Sequence, residues 1–321
     1  MKIRNIVGSI VASLAAVAAA AGGLSWWLSR RGGPIESVLG GDNQVWQWRD
    51  YDINFASAGE GRPIVFIHGM YPGASNAQWE SNFSALSKQF KVFAPDLLGF
   101  GRSSRPALAY SPDLYKDLIA DFLKEIVEQP AIVVAGGQSA PFVIDVAASD
   151  PKLISRLVLD SPTGLTRFAG PAPMGQRLAY RWSSLPVVGT LTYFAMVSKR
   201  QISRRLRTET VEDPSLITPS ADEDMYRETH QPGAKWAPMA VSGGQLNVDI
   251  RSSYAKLTQP ILILWGEMPS SIPVSDAQEF LDANENAVLQ AFPDARSMPE
   301  FEHPSKFNAH VQMWAEGKLA A

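Results

Sequence analysis

Apolar positions along the chain change pattern three times. Residues 5–29 carry no charge, with Lys2 and Arg4 before them and Arg30 and Arg31 after. A helix needs about 20 apolar residues to cross a bilayer core. The run is longer than the roughly 7–15 residue core of a signal peptide, and Trp26 and Trp27 sit where an interfacial aromatic belt would lie. The pattern predicts an N-terminal membrane anchor over 1–31 that holds the chain to membrane lipid as a single-pass protein. Positive charge at both ends leaves the side of the soluble part open. The alternative is a signal cleaved after the alanines at 18–20, which gives a secreted or periplasmic protein.

Residues 32–43 are glycine-rich and read as a linker. Residues 44–59 alternate apolar and polar, as a hairpin does. Beyond them come short, continuous apolar runs at 63–69, 91–99, 131–137, 156–162 and 260–266, separated by amphipathic stretches such as 114–127. Strands that are apolar on both faces and alternate with helices predict a mainly parallel sheet with helices on both faces, an α/β fold. The alternation fails once. From 164 to 257 there is helical patterning and proline, which predicts a helical cap inserted into a core made of 44–163 and 258–321.

Composition narrows the chemistry. The 321 residues are 45% hydrophobic and 19% charged, with a net charge of −3. That is globular, and it speaks against nucleic acid as a partner. With no cysteine and only four histidines, the chain has no disulfide, thiolate zinc site, iron–sulfur cluster or thiol nucleophile. The histidine spacing suggests no metal site, and no glycine-rich loop of the dinucleotide or phosphate type suggests a cofactor.

Five motifs in order resemble the α/β-hydrolase superfamily: His68-Gly69 after a strand, the turn at 95–103, Gly137-Gln138-Ser139-Ala140-Pro141, the strand at 260–266, and the segment 299–311. The resemblance implies that Ser139 is an elbow nucleophile. It also implies that the Met70 and Ala140 N–H groups form an oxyanion hole, with His68 and Gly69 shaping the pocket. A serine nucleophile needs a base and an orienting carboxylate. In the family register, Pro269 stands at the acid position and Ser297 at the histidine position. Asp160, at the end of an earlier strand, is the substitute acid. His303, six residues late, and His230, in the insert, are the substitute bases. His310 reads as a surface or packing residue.

Loss of a triad histidine costs on the order of 10⁶ in turnover. The chain therefore reads as a non-catalytic or weakly active member, a binding or structural subunit at a membrane. The alternative is a serine ester or amide hydrolase that uses Ser139 with an unorthodox base.

The insert has its own charge pattern. From Gly164 to Thr208 there are eight arginines and lysines and no acid. Arg200, Arg204, Arg205 and Arg207 form its densest cluster, suited to an anionic lipid surface or an acidic membrane-protein partner. The competing expectation is a solvated face balanced by the acids at 212–224. By analogy, the apolar cap implies an apolar small-molecule ligand.

Overall fold

A computed structural model describes residues 16–319 except 18, 21, 25, 184, 186 and 187. Eight strands form one sheet: β1 (Asp42–Trp48), β2 (Tyr51–Ala58), β3 (Pro63–Ile67), β4 (Lys91–Pro95), β5 (Ala131–Gly136), β6 (Ile154–Asp160), β7 (Ile261–Gly266) and β8 (Ala287–Phe292). Their order is β1-β2-β4-β3-β5-β6-β7-β8; β1–β2 and β2–β4 are antiparallel and the remaining pairs parallel. The expected hairpin is β1–β2, and each of the five apolar runs is a strand. β8 went unread.

Strand β5 shows why the central runs lack alternation. Ala131, Val133 and Ala135 pack into one buried cluster, and Ile132 and Val134 into another on the opposite face. On the first face lie α2 (Pro112–Phe122) and α3 (Ala140–Ser149); on the second lie α1 (Glu80–Leu86) and α12 (Pro304–Ala315). Ser111 caps α2 by accepting the Leu114 N–H, with Pro112 in the first turn. The β1 indoles fasten the hairpin to this layer: Trp48 Nε1 donates to Asp121 at 2.8 Å and Trp46 Nε1 to Glu125 at 3.2 Å.

Between β6 and β7 the chain is helical: α4 (Met174–Ser183), α5 (Val188–Met196), α6 (Lys199–Arg205), α7 (Pro219–Thr229), α8 (Trp236–Ser242) and α9 (Arg251–Tyr254). After β7 come α10 (Ala277–Ala283) and α11 (Pro299–Glu302). The cap has its own small core of Tyr193, Phe194, Val197 and Ile202, against which Leu28 of the N-terminal segment packs. Gln231 after α7 holds the same segment by donating to the Gly33 carbonyl at 2.6 Å. The expected membrane span begins on residues 1–15, which lie outside the described residues. Among the described residues no helix is long and apolar enough to cross a membrane.

Candidate active site in the α/β-hydrolase position

A cavity of about 690 Å³ opens at the carboxyl ends of the parallel strands, beneath the cap. Its floor is built from the residues that follow three strands: Gly69, Met70 and Tyr71 after β3, Gly136 to Gln138 at the end of β5, and Asp160 and Ser161 at the end of β6. Its walls are largely apolar cap residues such as Met196, Ile202 and Met225, with Met298 and Phe301 from the C-terminal segment.

The turn after β5 decides the chemistry. A nucleophile elbow holds its side chain on a sharp, strained strand-to-helix turn. Here the strand ends at Gly136 and the residue with left-handed backbone is Gly137, at φ +52°. A Cβ built on Gly137 meets nothing within 4 Å, so the turn offers open space where a nucleophile would stand. Ser139 comes two residues later, with ordinary right-handed backbone (φ −83°, ψ −21°). Its side chain is 0% exposed, and its Oγ donates to the Gly136 carbonyl at 2.8 Å. It does not cap α3 either, and it does not line the cavity. The expectation that Ser139 is the presented nucleophile is corrected: its hydroxyl closes the turn from inside. Ala140 is corrected with it, since its N–H is spent on the Gly137 carbonyl. In the observed register the residue after the elbow is Gln138. Met70 and Gln138 both line the cavity.

No histidine lines the cavity. His68 is fully buried; its Nδ1 bonds the Gly69 carbonyl at 2.7 Å, and its Nε2 accepts the Leu97 N–H at 3.0 Å. Burial pushes its pKa down against the opposing pull of Asp96, so a neutral imidazole ties the β3 and β4 loops together. His303 precedes α12, stacks on Phe292, and its Nε2 bonds the Asp294 carbonyl at 3.1 Å; it is not placed as a base. His230 stacks on Tyr226 with ring centroids 3.8 Å apart, and burial lowers its pKa to about 4. His310 packs edge-on against Phe292. Ser297, in the family's histidine position, does line the cavity. Glu267 is exposed and lies outside it.

Asp160 ends β6 and lines the cavity, and its partner is a carboxyl. Burial, reinforced by Glu300, pushes its pKa well up. Glu300 is raised to about 6 by burial, with hydrogen bonds from Asp160 and Gln78 pulling the other way. The proton therefore sits on Asp160 and is donated to the Glu300 carboxylate, since two buried carboxyls cannot both ionise cheaply. Gln78 continues the chain: its Nε2 donates to Glu300 at 2.8 Å and its Oε1 accepts the Gly69 N–H at 2.7 Å. Sequence reading missed Gln78 and Glu300, which come from separate segments and carry no spacing signal. A third acid, the nearly buried Glu228 of α7, reaches the cavity; burial raises its pKa to about 8, with Asp96 adding to the rise and Arg105 opposing it. Among the described residues no group of acids and histidines could hold a metal ion.

The basic cluster of the cap divides. Arg207 is taken by Asp222, with Nη1 and Nη2 at 2.9 and 2.8 Å from its two oxygens, so it braces α7 and is not a free contact. Lys199 pairs with Glu223 and Arg167 with Asp276. Arg200, Arg204 and Arg205 make no ion pair among the described residues, and Arg205 borders the cavity.

A sheet of this order, a cavity at its carboxyl edge and a helical cap after β6 define an α/β-hydrolase scaffold. The profile of the alpha/beta hydrolase family matches residues 64–310, and the chain belongs to that family. A 2-hydroxymuconate semialdehyde hydrolase from Pseudomonas sp. (strain CF600) is 27% identical, over 84% of this chain and 92% of that protein. An uncharacterized protein of Mycobacterium tuberculosis is 25% identical, over 85% of this chain and 81% of that one. Two solved structures share the fold. A meta-cleavage product hydrolase from Pseudomonas fluorescens IP01 has TM-score 0.72 at 22% identity, covering 87% of this chain and 99% of that one. A membrane phospholipase A has TM-score 0.71 at 20% identity, covering 100% of both chains.

Proposed function

We propose that this chain is a membrane-tethered α/β-hydrolase-fold protein that binds an apolar small molecule and does not hydrolyse it. The observation that carries the reading is Gly137, a residue without a side chain on the turn that should present a nucleophile, in a cavity that no histidine lines. The cavity volume is in the range of small-molecule sites, roughly 300–1,000 Å³. Its apolar walls suit an apolar body, and the Gln138 amide on the floor suits one polar head with an acceptor oxygen. The tether rests on the uncharged run 5–29 with its flanking tryptophans and arginines. The serine-hydrolase alternative requires Ser139 to leave the Gly136 carbonyl and find a base, and no contact in the site favours it.

Labelling the full-length protein with a fluorophosphonate probe tests the reading. No adduct is expected while an apolar naphthylamine fluorophore still enters the cavity. An adduct that disappears in Ser139→Ala would establish an activated serine and overturn the proposal.

A further inference from the structure

Helix α4 carries an apolar stripe that faces away from the protein. Met174, Leu178 and Trp182 follow one another at four-residue spacing, so they share one face. They are 65%, 48% and 63% exposed, and Leu185 continues the row after the helix. The opposite face does the packing: Tyr180 lies over Gly243, and Gln176 donates to the Ser242 carbonyl at the end of α8. Arg177 and Arg181 flank the stripe one position away, and neither makes an ion pair among the described residues. A stripe of Trp, Leu and Met bordered by arginine, on a stretch without acids, is the composition of a helix that lies in a membrane interface. It is the wrong composition for a helix in water, where a row of large exposed apolar side chains marks a contact surface.

Two observations name the occupant. The charge is one-sided, since eight basic residues and no acid lie between Gly164 and Thr208, and this complements an anionic headgroup layer. The N-terminal apolar run also comes off this same cap, through Leu28 on the cap core and Gly33 on Gln231. We propose that the outer face of α4, with Met174, Leu178 and Trp182 as its buried side chains and Arg177 and Arg181 at the headgroups, docks the cap on an anionic lipid bilayer. This deepens the membrane reading above and rests on it only for bringing the cap to the surface.

The chain lacks cysteine, so single thiols can be placed without background. Full-length Trp182→Cys, labelled with the environment-sensitive fluorophore NBD, is added to vesicles of phosphatidylcholine alone or with phosphatidylglycerol. A control label goes at Lys88→Cys, in the turn leading into β4 at the other end of the sheet. Flotation of the same samples reports the tether. The expected result is a blue shift at 182 with phosphatidylglycerol and none at 88. The shift should weaken in salt, and it should drop roughly thirty-fold in lipid affinity in the Arg177→Glu/Arg181→Glu background, at ~1 kcal/mol per basic residue.

Flotation on both vesicles without a shift at 182 overturns the docking surface and leaves the tether. Flotation and shift with phosphatidylglycerol only supports docking and overturns the tether. No flotation on either overturns both. A shift that precedes lipid and grows with protein concentration identifies a second copy as the occupant and overturns the proposal. A shift that appears only in native membranes, and not in pure lipid, points to an acidic protein partner and overturns it too.

Discussion

Gly137 is the residue on which the chemistry turns. Its left-handed backbone is cheap for glycine and costs any other residue about 1–3 kcal/mol. The space above it is empty, so a side chain would be strained but unobstructed. Gly137→Ser should therefore fold, with a stability loss of that size by urea denaturation. It should still form no fluorophosphonate adduct, because nothing nearby takes its proton. Ser297 faces the same cavity from the family's base position. Adding Ser297→His should produce slow, time-dependent labelling that the single variant lacks. Equal labelling of both variants would show that some other group serves as base and would contradict the site described here.

At the scale of elements, the β5 turn is locked to its neighbours through Gln78. A Cβ on Gly136 would fall 2.9 Å from Gln78 Nε2, so Gly136→Ala must displace that amide. Displacement breaks its bond from the Gly69 N–H and its bond to the Glu300 carboxylate. A neutral and a charge-assisted hydrogen bond together are worth about 2–4 kcal/mol. In a Gln78→Ala background the same substitution should cost much less, a coupling that a double-mutant cycle in urea would measure; additive losses would rule out the bridge.

Legibility in the sequence follows from the same physics. Strands buried on both faces announce themselves as continuous apolar runs, and five of them were plain. β8 was not, because at the sheet edge five of its six residues are only half-buried and its sequence, AVLQAF, has no clean run. The elbow was found in place but read two residues late. Gly-Gln-Ser-Ala looks like a serine motif, whereas the turn is fixed by where the strand ends. The pair Gly136-Gly137 directly after the apolar run was the available signal, since a reversal at that point needs positive φ. The Asp160–Glu300 pair joins residues 140 positions apart and was beyond any local pattern.

The molecule as a whole joins cap to core through polar pairs along the seam between them. Glu228 of α7 faces Arg105 of the β4 loop at 3.7 Å, and both side chains are nearly buried. Arg296 of the core meets Glu212 of the cap at 2.5 Å. With its carboxyl raised to about 8 from 4.5, Glu228 binds a proton in the folded state that the unfolded chain has released. Its contribution is complete below pH 4.5 and is lost as pH rises through 8, so stability falls with rising pH across that window. Each unit of the gap is worth about 1.4 kcal/mol, which puts the full effect on the order of a few kcal/mol.

The histidines act oppositely. The lowered pKa values of His68, His230 and His310 make stability rise with pH, from about 4 for His230, up to their ordinary 6.5. The two trends cancel in part below 6.5 and separate above it, where the histidines are neutral folded or unfolded. Urea midpoints should therefore drop between pH 6.5 and 8. Glu228→Gln should flatten that drop, and Asp160→Asn, whose carboxyl is also raised by burial, should remove part of the fall in stability that sets in above its ordinary 3.8. Parallel slopes in wild type and both variants would mean that neither carboxyl holds its proton in the folded protein. The hydrogen bond from Asp160 to Glu300 at the cavity floor would be lost with it.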